Sequence, residues 1–372
     1  MINPEELAKH YTRFRVTERI LLTGHSHQAW PDVAFEAQQQ AWLDTAEHVD
    51  DVWDLAFQKA NEVRRGFARL LDDTPERIAL AQNTHELVVR FLSALPLRQR
   101  PQLVTTDGEF HTIRRQLDRL AEEGIEVIKV PALPAATLAE RLAITVDERT
   151  AAVLVSAVLY ANAHIVPNLR AVQAACDRVG AELLVDAYHA LNVVPFSLVQ
   201  EGLERAYVVG GGYKYCQLGP GNAFLRFPPD SSLRPVVTGW FSEFTALSRA
   251  STSGRVTYDA GPGRWAGATY DFTSHYRAAA VFQFFEVQKL TPQKLRELNQ
   301  HQIDILSGAT RNDAIGGFLA IPAPRAGKSQ LALRKQNIWT DYRGDMLRVG
   351  PAPYVTDAQL EIATEAIRNA LR

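Results

Sequence analysis

The chain has 372 residues, of which 46% are hydrophobic and 22% are charged, the composition of a globular protein with a large buried core. Its 40 basic and 42 acidic residues nearly cancel and form no long runs, which disfavours a nucleic-acid or membrane partner and favours a small molecule. Only two cysteines are present, and neither a secretory signal nor an apolar run of about 20 residues is visible, so we expect a cytoplasmic protein.

Short β-rich runs alternate with helical stretches between about residues 76 and 228, the pattern of a mostly parallel sheet covered by helices. The runs predicted as strands are 102–105, 126–130, 152–157, 182–186, 207–210 and 222–227. Apolar residues at helical spacing predict helices over 113–123, 169–179, 276–287 and 357–371, the last with Thr356 as its N-cap.

The domain organisation is expected to have three parts. Residues 1–24 form an arm that packs on the small domain or on a partner subunit, and residues 25–262 form a large α/β domain. A stretch rich in Gly, Ser and Thr, residues 251–267, marks the exit from this domain. Residues 263–372 then form a smaller α+β domain.

Two residues in the large domain carry the strongest chemical signal. Asp186 ends an apolar strand, and ligands of open α/β sheets bind outside the carboxyl ends of the strands. Lys214 follows three glycines and Tyr213 after the next strand, where desolvation would favour the neutral amine that forms a Schiff base. Taken singly, Asp186 could instead cap a turn and Lys214 could be a surface lysine.

The joint pattern resembles a known family. Asp186-Ala-Tyr-His189, the Gly-Gly-Gly-Tyr213-Lys214 loop and the following Gly-Pro-Gly221 are similar to the class V, fold-type I pyridoxal-phosphate (PLP) enzymes, among them kynureninase. This resemblance extends from about residue 21 to about residue 354. It implies the fold-type I architecture, PLP bound to Lys214 as a Schiff base, Asp186 on the pyridine nitrogen and His189 close to Asp186. Tyr213 would lie near the phosphate and assist proton transfer.

Further cofactor contacts follow from the same resemblance. Thr84 and His85 stand at the apparent start of a helix, where the family's phosphate loop lies and where backbone N–H groups favour an anion. Phe110 matches the aromatic residue that stacks on the cofactor. Trp240 resembles a residue that approaches the phosphate from the other subunit, and Thr269 replaces an Asn near the substrate. As alternatives, Thr84 is a plain helix cap and Phe110 is a core residue.

The substrate contacts are expected at the two ends of the chain. Arg348 resembles the arginine that grips the substrate α-carboxylate, for which its planar fork is suited; the alternative is a pair with a surface acid of the small domain. His25, Ser26 and His27 replace a turn of the family and are expected to line the substrate pocket. Two histidines without a third ligand do not indicate a metal site.

These features predict a PLP-dependent enzyme acting on an amino acid as a homodimer, since fold-type I sites draw residues from two subunits. A kynureninase-like hydrolysis of the Cβ–Cγ bond is the first expectation. A class V aminotransferase or β-lyase acting on another amino acid is the alternative, and a non-catalytic binding protein with this fold is the alternative of another class. A cysteine desulfurase is disfavoured because no cysteine follows Cys216.

Overall fold

A computed structural model describes residues 2–247, 254–309 and 312–372. Residues 251–253 of the Gly-rich stretch predicted at the domain exit lie outside this set. The helices are α1 Pro4–Ala8, α2 Val33–His48, α3 Val52–Leu71, α4 Thr84–Ala94, α5 His111–Glu122, α6 Leu138–Thr145, α7 Leu169–Val179, α8 Leu198–Glu201, α9 Thr273–Val287, α10 Pro292–Ser307, α11 Ala326–Arg334 and α12 Asp357–Leu371.

The strands form one large and two small sheets. They are β1 Ile20–Leu21, β2 Ile78–Ala81, β3 Gln102–Thr106, β4 Glu126–Val130, β5 Thr150–Ser156, β6 Glu182–Asp186, β7 Tyr207–Gly211, β8 Ala223–Arg226, β9 Leu319–Pro322, β10 Ile338–Trp339, β11 Asp341–Arg343 and β12 Met346–Val349. The large sheet has the order β2-β8-β7-β6-β5-β3-β4. Strands β3 to β7 run parallel, and only β8 is antiparallel to its two neighbours.

Both faces of the large sheet are buried, as its apolar strands require. In β5, Val153 and Val155 belong to one hydrophobic cluster, whereas Ala152 and Leu154 belong to a second cluster on the other face. This alternation places a helical layer on each side and leaves the carboxyl ends of the strands as the open edge. The prediction of a mostly parallel α/β sheet is confirmed.

The predicted elements coincide closely with the observed ones. Every predicted strand overlaps an observed strand, and the four predicted helices correspond to α5, α7, α9 and α12. Thr356 caps α12 through a capping box with Gln359, as the sequence predicts for the cap. Strand β2 at the edge of the sheet and the long helices α2 and α3 have no counterpart among the predictions.

The C-terminal part contacts the beginning of the chain. Strands β11, β12 and β9 form a small antiparallel sheet, and β10 pairs in parallel with β1. This pairing places the first residues beside the C-terminal part, while α9 packs on α2 and α3. The domain boundaries themselves stay predictions. Among the residues described, no helix is both long and apolar enough to cross a bilayer.

Candidate active site

A cavity of about 550 Å³ opens at the carboxyl ends of β5 and β6, where the C-terminal part covers the large sheet. It brings together side chains that are far apart in sequence. Its lining residues are His25, Ser26, His27, Thr84, Phe110, Ser156, Val158, Tyr160, Asp186, Tyr188, His189, Tyr213, Lys214, Asp341, Arg343 and Arg348. Ten of the predicted site residues are among them.

Lys214 presents its amine to this cavity. Its Nζ lies 2.7 Å from Nε2 of His189, and burial lowers the pKa of Lys214 to about 7, against the opposing effect of Asp186. Burial also lowers the pKa of His189 well below its ordinary value, so the imidazole is neutral. A neutral His189 can accept a hydrogen bond from the amine. Lys214 therefore combines access to the cavity with an unusually easy loss of its proton.

Asp186 lies on the neighbouring strand end. Its Oδ1 accepts a hydrogen bond of 2.9 Å from the backbone N–H of Tyr188. Burial raises the pKa of Asp186, although this hydrogen bond and Lys214 act in the opposite direction. The carboxylate is thus under-compensated in the protein alone, and a cationic ring nitrogen in the cavity would supply the missing partner.

Two aromatic rings flank the lysine. Nζ of Lys214 lies 5.3 Å from the ring centroid of Phe110 and 4.7 Å from that of Tyr188. Tyr188 packs directly on Gly211, where a Cβ atom would lie 2.9 Å from the tyrosine ring, so the close approach requires glycine at this position. Phe110 lines the cavity as predicted, and an aromatic ring there can stack on a planar cofactor.

Helix α4 begins at the cavity wall. Thr84 is its first residue and lines the cavity, while the side chain of Asn83 caps the helix by accepting the N–H of Glu86. Unpaired N–H groups at this end suit an anion such as a phosphate. His85 does not join Thr84, because the next helical position turns its side chain away to solvent. The prediction that His85 contacts the cofactor is therefore not supported by its position.

The predicted turn of His25, Ser26 and His27 lies at the cavity, but its two histidines have different surroundings. His27 stacks on Tyr213 with ring centroids 4.9 Å apart. His25 is fully buried, and its Nε2 lies 2.7 Å from Oδ1 of Asp341. His25 lines the cavity, but its Nε2 is already bound to a protein carboxylate, and its predicted contact with substrate stays a prediction.

All three guanidinium nitrogens of Arg348 also donate hydrogen bonds to protein oxygens. Its Nε donates to Oδ1 of Asp341 at 2.9 Å and its Nη2 donates to Oδ2 at 2.5 Å, while Nη1 donates to the backbone carbonyl of Tyr160 at 2.7 Å. Arg348 thus pairs with an acid of the C-terminal part, which matches only part of the alternative stated for it. Asp341 is not a surface acid, however, since it lines the same cavity as Arg348.

Two predicted residues lie apart from the cavity. Trp240 is 47% exposed and contacts the rings of Phe241 and Phe244. Thr269 is also exposed. Within one chain neither of them lines the cavity. The contribution of Trp240 to the site of a partner subunit, and the place of Thr269 near the substrate, stay predictions.

Several residues of the site were missed by the sequence reasoning. Ser156 and Tyr188 follow the same strand-end rule that singled out Asp186, so their signal was available. Buried Glu109 accepts hydrogen bonds from Ser156 and Thr106 beneath the cavity, and burial raises its pKa to about 7. Asp341 could be found only by pairing β11 with β12 in the register that places it opposite Arg348.

The residues present fit a pyridine aldehyde phosphate. A neutral lysine amine, an under-compensated buried carboxylate, two flanking rings and a helix N-terminus converge on one cavity. Each matches one part of PLP: the aldehyde, the ring nitrogen, the ring faces and the phosphate.

Comparison with known proteins gives distant relatives in sequence. No family model matches the chain. The sequence is 22% identical over 340 residues to an uncharacterized aminotransferase, YcbU, of Bacillus subtilis (strain 168), covering 88% of each chain. It is 23% identical over 339 residues to isopenicillin N epimerase of Streptomyces clavuligerus, covering 82% of this chain and 83% of the relative.

Solved structures give a closer match in fold than in sequence. A mutant of C-DES with glycine covalently linked to the PLP cofactor superimposes with a TM-score of 0.84, at 17% identity, over 96% of this chain and 98% of that one. The cystine C-S lyase C-DES in complex with cysteine persulfide gives 0.83, at 18% identity, over 95% and 98%. The fold is that of the fold-type I PLP enzymes. The predicted fold class is thereby confirmed.

The lowered pKa of Lys214 predicts how the protein loads its cofactor. Because only the neutral amine attacks an aldehyde, the rate at which the cofactor-free protein takes up PLP should rise through about pH 7 and level off above about pH 8. Stopped-flow absorbance measures this rate. Nα-acetyl-lysine is the control, since its free ε-amine keeps gaining reactivity up to about pH 10. The same high apparent pKa in the protein would contradict the environment described for Lys214.

Proposed function

We propose that this protein is a PLP-dependent class V enzyme acting on a small amino acid, as an aminotransferase or a β-lyase. The observation that carries this proposal is the convergence of the Lys214 amine and the Asp186 carboxylate on one cavity at adjacent strand ends. The names of the relatives agree with it: one is an aminotransferase, and the C-DES enzyme is a PLP-containing lyase. The predicted cofactor and enzyme class are consistent with these proteins.

Kynureninase-like hydrolysis, the first expectation, has no support from these proteins, and the class V alternative fits them better. A desulfurase using a cysteine nucleophile is also disfavoured by the chain itself. Cys176 and Cys216 are buried, and burial raises the pKa of both thiols, which keeps them protonated and unreactive.

In the proposed reaction, each side chain of the site has a separate role. When bound, PLP supplies an aldehyde that reacts with amines and a ring that draws electrons from the substrate Cα. Lys214 would provide the amine that holds the aldehyde and, in its neutral form, a base within the cavity. Asp186 would keep the ring nitrogen protonated, and Thr84 with the N-terminus of α4 would hold the phosphate. Arg348 would bind the α-carboxylate of the substrate.

A homodimer belongs to this proposal. Trp240 and Thr269 lie on the exposed surface instead of in the cavity, and in a symmetric pair such residues can complete the site of the partner. Cytoplasmic location stays a prediction from the low cysteine content. A binding protein without catalysis is the less favoured alternative, because binding alone does not need a lysine amine of lowered pKa.

The reaction type is decided by its dependence on a keto acid. We expect the PLP-loaded protein to convert one or more of L-alanine, L-cysteine, L-glutamate and L-kynurenine, and to sustain turnover only when pyruvate or 2-oxoglutarate is added. Mass spectrometry of the products makes the measurement, with a Lys214→Ala variant as the blank. Sustained release of pyruvate from L-cysteine without a keto acid would identify the lyase instead. Release of alanine from kynurenine would restore the hydrolase, and no turnover would support the binding protein.

The role of Asp186 gives a second prediction. Asp186→Asn should retain PLP and lose at least tenfold in turnover, about 1.4 kcal/mol or more in barrier height, because a neutral amide cannot hold the ring nitrogen protonated. The matched control is Asp107→Asn, which directly follows strand β3 of the same sheet and lies outside the cavity; this variant should behave as the wild type. Equal turnover in Asp186→Asn would reduce Asp186 to a turn residue.

A further inference from the structure

The arginine assigned to the substrate carboxylate is already held by the protein. Asp341 and Arg348 lie opposite each other in the β11–β12 hairpin, and the guanidinium binds both carboxylate oxygens along its Nε and Nη2 edge. Its Nη1 donates to the carbonyl of Tyr160, which belongs to the large sheet's side of the cavity. Arg348 is 3% exposed, so these contacts hold it in one orientation.

Asp341 is itself oriented by a third residue. His25 is neutral because burial lowers its pKa to about 4, whereas hydrogen bonds from His25 and Arg348 lower the pKa of Asp341 despite its partial burial. An ionised carboxylate accepts hydrogen bonds only, so the hydrogen of His25 lies on Nε2. Nδ1 of His25 has no partner in the part of the chain that the structure describes. The ring is also fixed by stacking on Phe318, with centroids 4.5 Å apart.

Two roles for Asp341 are compatible with this contact. It could compete with the substrate carboxylate and leave Arg348 when substrate enters, or it could stay and hold Arg348 in place. A guanidinium has five N–H donors, and the contacts to Asp341 and Tyr160 use three of them. Among the residues described, one N–H on each terminal nitrogen is left. These two donors can hold a carboxylate without displacing Asp341.

Displacement of Asp341 would also be unfavourable. The carboxylate would keep the hydrogen bond from His25 and a looser ion pair with Arg343, whose Nη1 lies 3.7 Å from Oδ2 on a side chain that is half exposed. It would exchange two hydrogen bonds from the buried Arg348 for this longer and more exposed contact, and breaking a buried ion pair is destabilising. The contact is therefore better suited to positioning than to competition.

We infer that Asp341, oriented by His25, is a positioning residue that presets Arg348 for the α-carboxylate of the substrate. This inference rests on the proposed function, since it takes Arg348 as the carboxylate site. It explains why His25 is buried beside the cavity with its Nε2 edge turned to Asp341. It also orders the three residues: His25 orients Asp341, Asp341 orients Arg348, and only Arg348 binds the substrate carboxylate.

The test compares each amino acid with its carboxamide. PLP-loaded wild type is titrated with L-alanine, L-cysteine and L-glutamate and with the α-carboxamide of each, and the cofactor spectrum reports the dissociation constants. The ratio of the amide's constant to the acid's constant isolates recognition of the carboxylate. In Asp341→Asn we expect this ratio to fall about tenfold, the scale of one charge-assisted hydrogen bond, with amide binding little changed.

Variants of His25 test whether this residue affects carboxylate recognition through Asp341. His25→Phe keeps a ring against Phe318 but loses the donor, so the ratio should fall, whereas His25→Gln keeps an N–H donor and should restore part of it. In the double variant His25→Phe with Asp341→Asn the two losses should not add, because both act through one contact. Asp345→Asn is the matched control, an exposed acid in the same hairpin that lies outside the cavity.

The outcomes separate the possible errors. Tighter binding of amino acids to Asp341→Asn would show that Asp341 competes with the substrate carboxylate, and would overturn the inference. An unchanged amide-to-acid ratio in Asp341→Asn would also overturn it, provided that this variant unfolds at the same temperature as the wild type. A variant that fails to fold leaves the His25→Phe and His25→Gln pair to decide, and equal ratios in that pair would also overturn it. If the wild type responds to none of the six compounds, the proposed function fails together with this inference.

Discussion

The site depends on the enclosure of Lys214 and Asp186 in one partly desolvated cavity. Burial disfavours the charged form of both groups, lowering the pKa of the amine and raising that of the carboxylate, and their mutual attraction offsets this only in part. The amine of Lys214 therefore loses its proton easily, and the carboxylate of Asp186 would be stabilised by a nearby cation. A cofactor that carries both an aldehyde and a protonatable ring satisfies the two needs at once.

The parallel sheet makes this enclosure possible. Strands β5 and β6 end at the same edge, so Ser156 and Asp186 face one opening, and the chain returns through β7 to bring Lys214 beside them. The C-terminal hairpin then covers the opening with Asp341 and Arg348. In the proposed function, the residues assigned to the cofactor thus lie on the large sheet, whereas the residues assigned to the substrate lie on the elements that cover it.

The difference between the buried sheet and the elements that cover it also explains which strands and site residues could be predicted from the sequence. Strands β5, β6 and β7 are predictable because both of their faces are buried and their central residues form continuous apolar runs. Strand β2 has only four residues, two of them alanine, and its signal is correspondingly weak. Asp186 and Lys214 could be singled out because a strand end and a glycine-rich loop are local features.

Other features depend on contacts that no local pattern contains. The pairing of Asp341 with Arg348 follows from the register of a hairpin whose turn includes Gly344 at a φ of +51°. The turn at His25 joins this pair from a position more than 300 residues away in sequence. His85 lies outside the cavity for a simpler reason, since a shift of one residue along a helix rotates the side chain by about 100°.

The central claim is that Lys214 is the residue that carries the cofactor. Its most direct test is reduction of the PLP-loaded protein with borohydride, which converts the imine to a stable secondary amine, followed by proteolysis and mass-spectrometric mapping. The account predicts a single modified peptide containing Lys214 and no modification in Lys214→Arg. A modified peptide centred on another lysine, or an unmodified wild type after loading with PLP, would contradict it.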